Sequence, residues 1–122
     1  MSPRSNEFLE AARRRLAAAE ITVDEDPSTA LSAAYYAMLY GARAALSEHD
    51  RSAKTHRGTW HEFRTAFVAS GLIDAELAAE VQKIQPEREQ ADYDAWSAPP
   101  EEARRAIDLA HQFLTSIEAL FD

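Results

Sequence analysis

The stretch LSAAYYAMLYGARAAL, Leu31 to Leu46, decides the fold. Within it Leu31, Tyr35, Met38, Ala42 and Ala45 follow one another at steps of four, three, four and three residues. On an α-helix these positions share one face, the inward seam of a helical bundle. Just upstream, Asp24-Glu25-Asp26-Pro27 is a break and a start together: Asp26 can cap a helix and Pro27 suits its first position. A helix is therefore predicted over 27–47. Tyr36, Tyr40 and Arg43 form a second stripe about a quarter-turn from the seam. Tyrosine and arginine give much contact energy per side chain, so this stripe is expected to be an interface. The plainer alternative is that both rings edge the same core with their hydroxyls in water.

The helical period extends outward on both sides. A first helix is predicted from a Ser5 cap to about Glu20, with Phe8, Ala12, Leu16 and Ala19 buried. HDRSAKTHRG, His49 to Gly58, is a polar connection, and Thr59-Trp60-His61-Glu62-Phe63 opens a third helix whose apolar face is Trp60, Phe63 and Phe67. Ser70-Gly71 is its stop, with Gly71 in the left-handed position. Asp74 caps a fourth helix, and Pro99-Pro100-Glu101-Glu102 opens the last, which carries Ala103, Ala106, Ala110, Phe113, Ile117 and Leu120 on one face. There are three glycines, no internal repeat and no alternating strand pattern. Short connections make neighbouring helices antiparallel. The expectation is one all-α domain over 1–122, an up-and-down bundle of four or five helices.

Composition narrows the function. No cysteine means no disulfide and no thiolate metal site. No apolar run approaches the ~20 residues that cross a bilayer, and the N-terminus lacks a signal-peptide core, so a cytoplasmic protein without membrane attachment is expected. A net charge of −8 argues against a general nucleic-acid coat. The charge is uneven, however. Residues 51–70 carry Arg51, Lys54, Arg57 and Arg64 against Glu62 alone, a balance of +3, whereas residues 71–122 carry twelve acids against four bases. An anion site inside an acidic protein fits that island as well as ordinary surface charge does.

The fourth helix holds an anomaly. Leu77, Val81 and Ile84 step by four and three, and the same stripe continues to Arg88 and Ala91. A guanidinium on a core-facing seam must be paired, sit at the end of the bundle, or meet another subunit. Asp92, one turn on, is its candidate partner. Pro86 cannot donate to the Gln82 carbonyl, so the helix is expected to kink or restart there.

Three blocks, in this order and spacing, resemble the HEPN domain family, and within it short stand-alone prokaryotic proteins. They are Ala34-Tyr35-Tyr36-Ala37-Met38 with Ala42 to Leu46; Lys54-Thr55-His56 before Gly58, then Phe67 through Leu72; and Arg88-Glu89-Gln90-Ala91-Asp92-Tyr93-Asp94. The resemblance spans about residues 7–120. It implies a helical bundle that dimerises with its site where two copies meet. Many members are metal-independent ribonuclease toxins paired with a minimal nucleotidyltransferase antitoxin; others are non-catalytic modules binding a nucleotide or a partner. In the nuclease members an Arg is followed four to six residues later by a His. The Arg stabilises phosphate charge in the transition state, and the His moves the proton of the attacking 2′-hydroxyl. Arg88 fits the Arg, but Tyr93, Asp94 and Ala95 fill the window where the His would be. His56, from the basic loop, is the candidate substitute, reaching Arg88 across the bundle or the dimer, since an imidazole with pKa ~6.5 suits the work. Lys54 and Asp92 are candidates at the phosphate, and the resemblance implies Tyr93 as the tyrosine that a partner modifies with AMP. For His56 the plainer alternative is a loop histidine bonded to backbone. No metal or other cofactor is expected: His56 and His61, with Gly58 between them, do not share a helical face. The expected partners are a second copy of the chain, the antitoxin, and RNA or a nucleotide.

Overall fold

The computed structural model describes residues 1–93 and 97–121, and their side chains other than those of 85–93. Among the described residues there are five α-helices and no strand: α1 Pro3–Thr22, α2 Pro27–Glu48, α3 His56–Phe63, α4 Ala75–Tyr93 and α5 Pro100–Leu120. α3 runs straight on into a π-helical turn, Arg64–Val68, where the Ala69 N–H donates to the Arg64 carbonyl at 2.9 Å.

The helices begin where a side chain can take an orphan backbone N–H. Asp26 accepts from Thr29 N at 3.2 Å, Thr55 from Gly58 N at 2.9 Å, and Asp74 from Leu77 N at 2.9 Å. Ser2 accepts from Ser5 N at 3.1 Å, so the cap of α1 is Ser2 followed by Pro3, not Ser5. Ala12, Leu16 and Ala19 are buried as the spacing predicts. Ser5, Leu9, Ala12, Leu16 and Ala19 face inward, and Phe8 is only half-buried. A serine tolerates the apolar seam because its hydroxyl donates to Glu48 Oε2 at 2.8 Å, tying the start of α1 to the end of α2. α3 likewise starts at His56 rather than Thr59, with Thr55 as cap. Gly58 lies inside its first turn, where a Cβ would meet Thr55 Oγ1 at 2.8 Å. Gly71 has φ +82°, the left-handed stop that its position predicts. α4 is one helix from Ala75 to Tyr93, so Pro86 does not end it.

Packing gives the directions. Arg13 pairs with Glu118, Glu20 with His111 and Asp24 with Arg104, so α1 and α5 run antiparallel. Ser5 meets Glu48, so α1 and α2 are antiparallel too. Ser28 accepts from Ala98 N, and Gly41 lies beside Leu114, so α2 and α5 are parallel. At Gly41 an added Cβ would come 2.6 Å from Leu114 Cδ2, and that close approach is why a helix interior carries glycine there. All five α2 seam residues, Leu31, Tyr35, Met38, Ala42 and Ala45, are fully buried. They meet an aromatic centre in which Phe63 lies 5.1 Å from Phe67 and 5.3 Å from Phe113, ring centre to ring centre. The all-α bundle expected from the periodicity is the observed architecture.

Candidate functional site

The chemistry-bearing residues that the structure brings together lie where α2 meets α3. His56 occupies the first turn of α3, half-buried, because Thr55 ahead of it caps the helix. Its Nδ1 is 3.2 Å from the hydroxyl of Tyr35 on α2. That hydroxyl also accepts from Trp60 Nε1, one turn along α3, at 3.3 Å. Tyr35 is fully buried and Trp60 is 4% exposed, so a chain of three polar groups leads from the core to a partly accessible imidazole. The tyrosine ring fills the seam while its hydroxyl orients the histidine, and the indole N–H gains the partner that a buried donor needs. Tyr36 adds an edge-on contact to the same imidazole, ring centres 5.6 Å apart. Side chains of α2 thus contact His56 through a hydroxyl and a ring. Two members of this chain, Tyr35 and Trp60, read in the sequence only as core. Their signal was that each has a polar atom at a position otherwise wholly apolar.

Arg43 is anchored one step deeper. Its Nε donates to Thr59 Oγ1 at 3.3 Å, and the fully buried Thr59 hydroxyl donates to the Thr55 carbonyl at 2.8 Å. Arg43 and the exposed Lys54 line one cavity of about 270 Å³ together with Arg4 and Arg51. Tyr36 and Tyr40 are half-buried against α1: the Arg15 guanidinium lies 5.5 and 5.7 Å from their ring centres, and Phe8 stacks on Tyr40 at 6.3 Å. Arg88, Asp92 and Tyr93 fall within the helical span of α4, but their side chains lie outside the described residues, as do Asp94 and Ala95. Close to the basic cavity, Glu48 is held below the usual carboxylate range by the Ser2 backbone N–H first and the Ser5 hydroxyl second. Among the described residues there is no group of three His, Asp or Glu side chains able to hold a metal ion. No described helix is long and apolar enough to cross a membrane.

The model of the HEPN domain matches residues 5–120, nearly the whole chain. The chain belongs to the HEPN family. Curated relatives agree. A protein of Gloeobacter violaceus named "UPF0332 protein" is 36% identical over 78 residues, 63% of this chain and 62% of that protein, so the match spans less than two thirds of the relative's length. Two proteins of Methanocaldococcus jannaschii, each named "Putative toxin", are 31% identical: one over 109 residues, 88% of this chain and 74% of its own, the other over 112 residues, 91% and 84%.

Proposed function

We propose that this HEPN protein is the metal-independent ribonuclease of a toxin–antitoxin pair, acting in the cytoplasm as a homodimer and restrained by a nucleotidyltransferase partner. The observation that carries the proposal is the anchored imidazole. A half-accessible histidine bonded to Tyr35, whose hydroxyl also accepts from Trp60, and two residues along the chain from Lys54, is equipped for proton transfer beside a phosphate. In the proposed reaction His56 takes the proton of an RNA 2′-hydroxyl, the 2′-oxygen bonds to phosphorus, and the bond from phosphorus to the 5′-oxygen breaks. The 5′-oxygen leaves as an alcohol, taking its proton from solvent water, and a 2′,3′-cyclic phosphate remains. Arg88, oriented by Asp92, stabilises the charge on the non-bridging oxygens, with Lys54 in support. Tyr93 is the acceptor through which the nucleotidyltransferase silences the protein with AMP. The Tyr36, Tyr40 and Arg43 stripe is the surface proposed to meet the second copy.

The missing His after Arg88 favours one other reading, a non-catalytic HEPN module that binds a partner or a nucleotide. RNA cleavage and growth arrest by wild type, Arg88→Ala and His56→Ala decide between the two. The ribonuclease reading requires chelator-resistant cleavage leaving cyclic phosphate ends, reduced by about 100-fold or more in each variant. No cleavage by wild type, or equal cleavage by all three proteins, refutes it.

A further inference from the structure

The cavity between the second half of α1 and the first turns of α2 presents opposite charges that do not satisfy each other. Arg15 of α1 lines it on one side, and Asp26, Ser32, Ala33 and Tyr36 line it from the start of α2. Arg15 is held by two rings, 5.5 Å from the centre of Tyr36 and 5.7 Å from that of Tyr40. Cation–π contact fixes a guanidinium without neutralising it, and none of its five N–H donors is spent on another described residue. Asp26 is ionised at neutral pH, because the Thr29 hydroxyl first and the Thr29 backbone N–H second hold it below the usual carboxylate range. Those two bonds, 2.6 and 3.2 Å long, go to different oxygens, so each oxygen keeps a lone pair for another donor. Among the described residues neither Arg15 nor Asp26 belongs to an ion pair. Elsewhere α1 spends its charges on α5, Arg13 on Glu118 and Glu20 on His111, so the unpaired couple is a local departure. Ser32, half-buried, makes no hydrogen bond to another described side chain.

We propose that this cavity binds a free α-amino acid, its carboxylate on Arg15 and Ser32, its ammonium on Asp26 and its apolar side chain against Ala33 and Tyr36. An anion alone is repelled by Asp26 and a cation alone by Arg15, whereas a zwitterion satisfies both. The volume of about 340 Å³ lies at the small end of the ~300–1,000 Å³ range of small-molecule sites, which suits one amino acid and not a peptide. A peptide N-terminus also brings its ammonium without the carboxylate that Arg15 requires. Tyr36 is the ring that touches His56, centres 5.6 Å apart, so an occupant of the cavity sits one side chain away from the imidazole. The inference stands apart from the ribonuclease reading, since neither Arg15 nor Asp26 has a part in the proposed reaction and binding is read without turnover.

The test is calorimetric titration of the full chain at neutral pH with L-leucine and with L-phenylalanine, each beside its amide, which lacks the carboxylate, and its deaminated acid, which lacks the ammonium. At least one of the two amino acids binds, and its amide and its deaminated acid each bind about tenfold more weakly or worse, for loss of one charged contact. Arg15→Gln and Asp26→Asn each remove one charge, and an asparagine at position 26 still caps α2. Each variant weakens binding by about tenfold or more. Circular dichroism checks that both variants fold, and either one that folds suffices. The proposal is overturned if neither amino acid binds, if an analogue carrying one charge binds as tightly as its parent, or if the folded variants keep the wild-type affinity. Binding of an amide in preference to its amino acid identifies a peptide N-terminus as the occupant and overturns it too.

Discussion

Replacing Tyr35 by Phe removes one oxygen from the centre of the protein and tests the geometry on which the site rests. The ring remains, so no cavity opens and the packing contribution of the seam is retained. Among the described residues, what is lost is the acceptor for Trp60 Nε1 at 3.3 Å and the hydroxyl partner of His56 Nδ1 at 3.2 Å. Trp60 is only 4% exposed and has no second acceptor among the described residues, so its N–H would be left buried and unpaired. An orphaned neutral donor costs about 1–3 kcal/mol. The 3.3 Å separation is long for an N–H···O bond, which places the expected loss in the lower half, about 1–2 kcal/mol. For a domain of this length about 1 kcal/mol lowers Tm by ~3–5 °C, so Tyr35→Phe should melt about 4–8 °C below wild type. Urea denaturation should show the same loss with an unchanged slope, because the surface exposed on unfolding is nearly the same. Trp60→Phe costs more by itself, since it removes indole packing, but the two changes together should be less destabilising than their sum by about 0.5–1.5 kcal/mol. Equal melting of Tyr35→Phe and wild type, with strict additivity in the double variant, would refute the buried chain and with it the anchored imidazole.

Two further outcomes test the frame around that site. Gly41→Val drives a branched side chain into Leu114, whose Cδ2 lies 2.6 Å from where the Cβ must go, and overpacking of that kind should cost about 1–3 kcal/mol by urea denaturation; a variant as stable as wild type contradicts the close contact of α2 with α5. Glu48 has a folded-state pKa below its unfolded value, so its stabilising effect is present above about pH 4.3 and is lost as pH falls through the lower folded value. Glu48→Gln should therefore melt below wild type at neutral pH and converge with it in acid. A constant difference between the two proteins down to pH ~2 refutes the Ser2 and Ser5 contacts as its cause.

The helices were legible because their apolar spacing and their caps agree. Asp26-Pro27, Asp74 and Gly71 each name a helix end by its own chemistry, and all three hold. The face of α1 was read correctly at Ala12, Leu16 and Ala19, but its start was placed three residues late because two serines, Ser2 and Ser5, compete for the cap. The repeat of Ser-Pro at 2–3 and Asp-Pro at 26–27 distinguishes them, and Ser5 belongs to the seam through a bond to Glu48 that lies 43 residues away in sequence. The start of α3 failed for a related reason. Gly58 looks like the end of a loop, whereas it is the one residue that fits against the Thr55 cap. Periodicity cannot see a contact that local sequence does not contain.

The site was legible in part for the same reason. His56 was found as a lone imidazole in a basic loop, and nothing near it in sequence says what fixes it. Its partner is Tyr35, a residue that periodicity assigns to the core, correctly and incompletely. A phenylalanine would fill that seam equally well and would not require a buried hydroxyl to be satisfied. Thr59 presents the same pattern: it is fully buried, and its hydroxyl takes the Arg43 guanidinium on one side and gives its proton to the Thr55 carbonyl on the other. Both polar core residues of the α2–α3 junction thus end on a cation or an imidazole at its edge. Core polarity is costly unless it is paired, and here each pairing stiffens a side chain that reaches toward solvent. The Tyr35→Phe measurement bears on that stiffening directly: stability should fall by the amount of one hydrogen bond, while any cleavage dependent on His56 should fall further, because a freed imidazole loses its orientation as well as its neighbour.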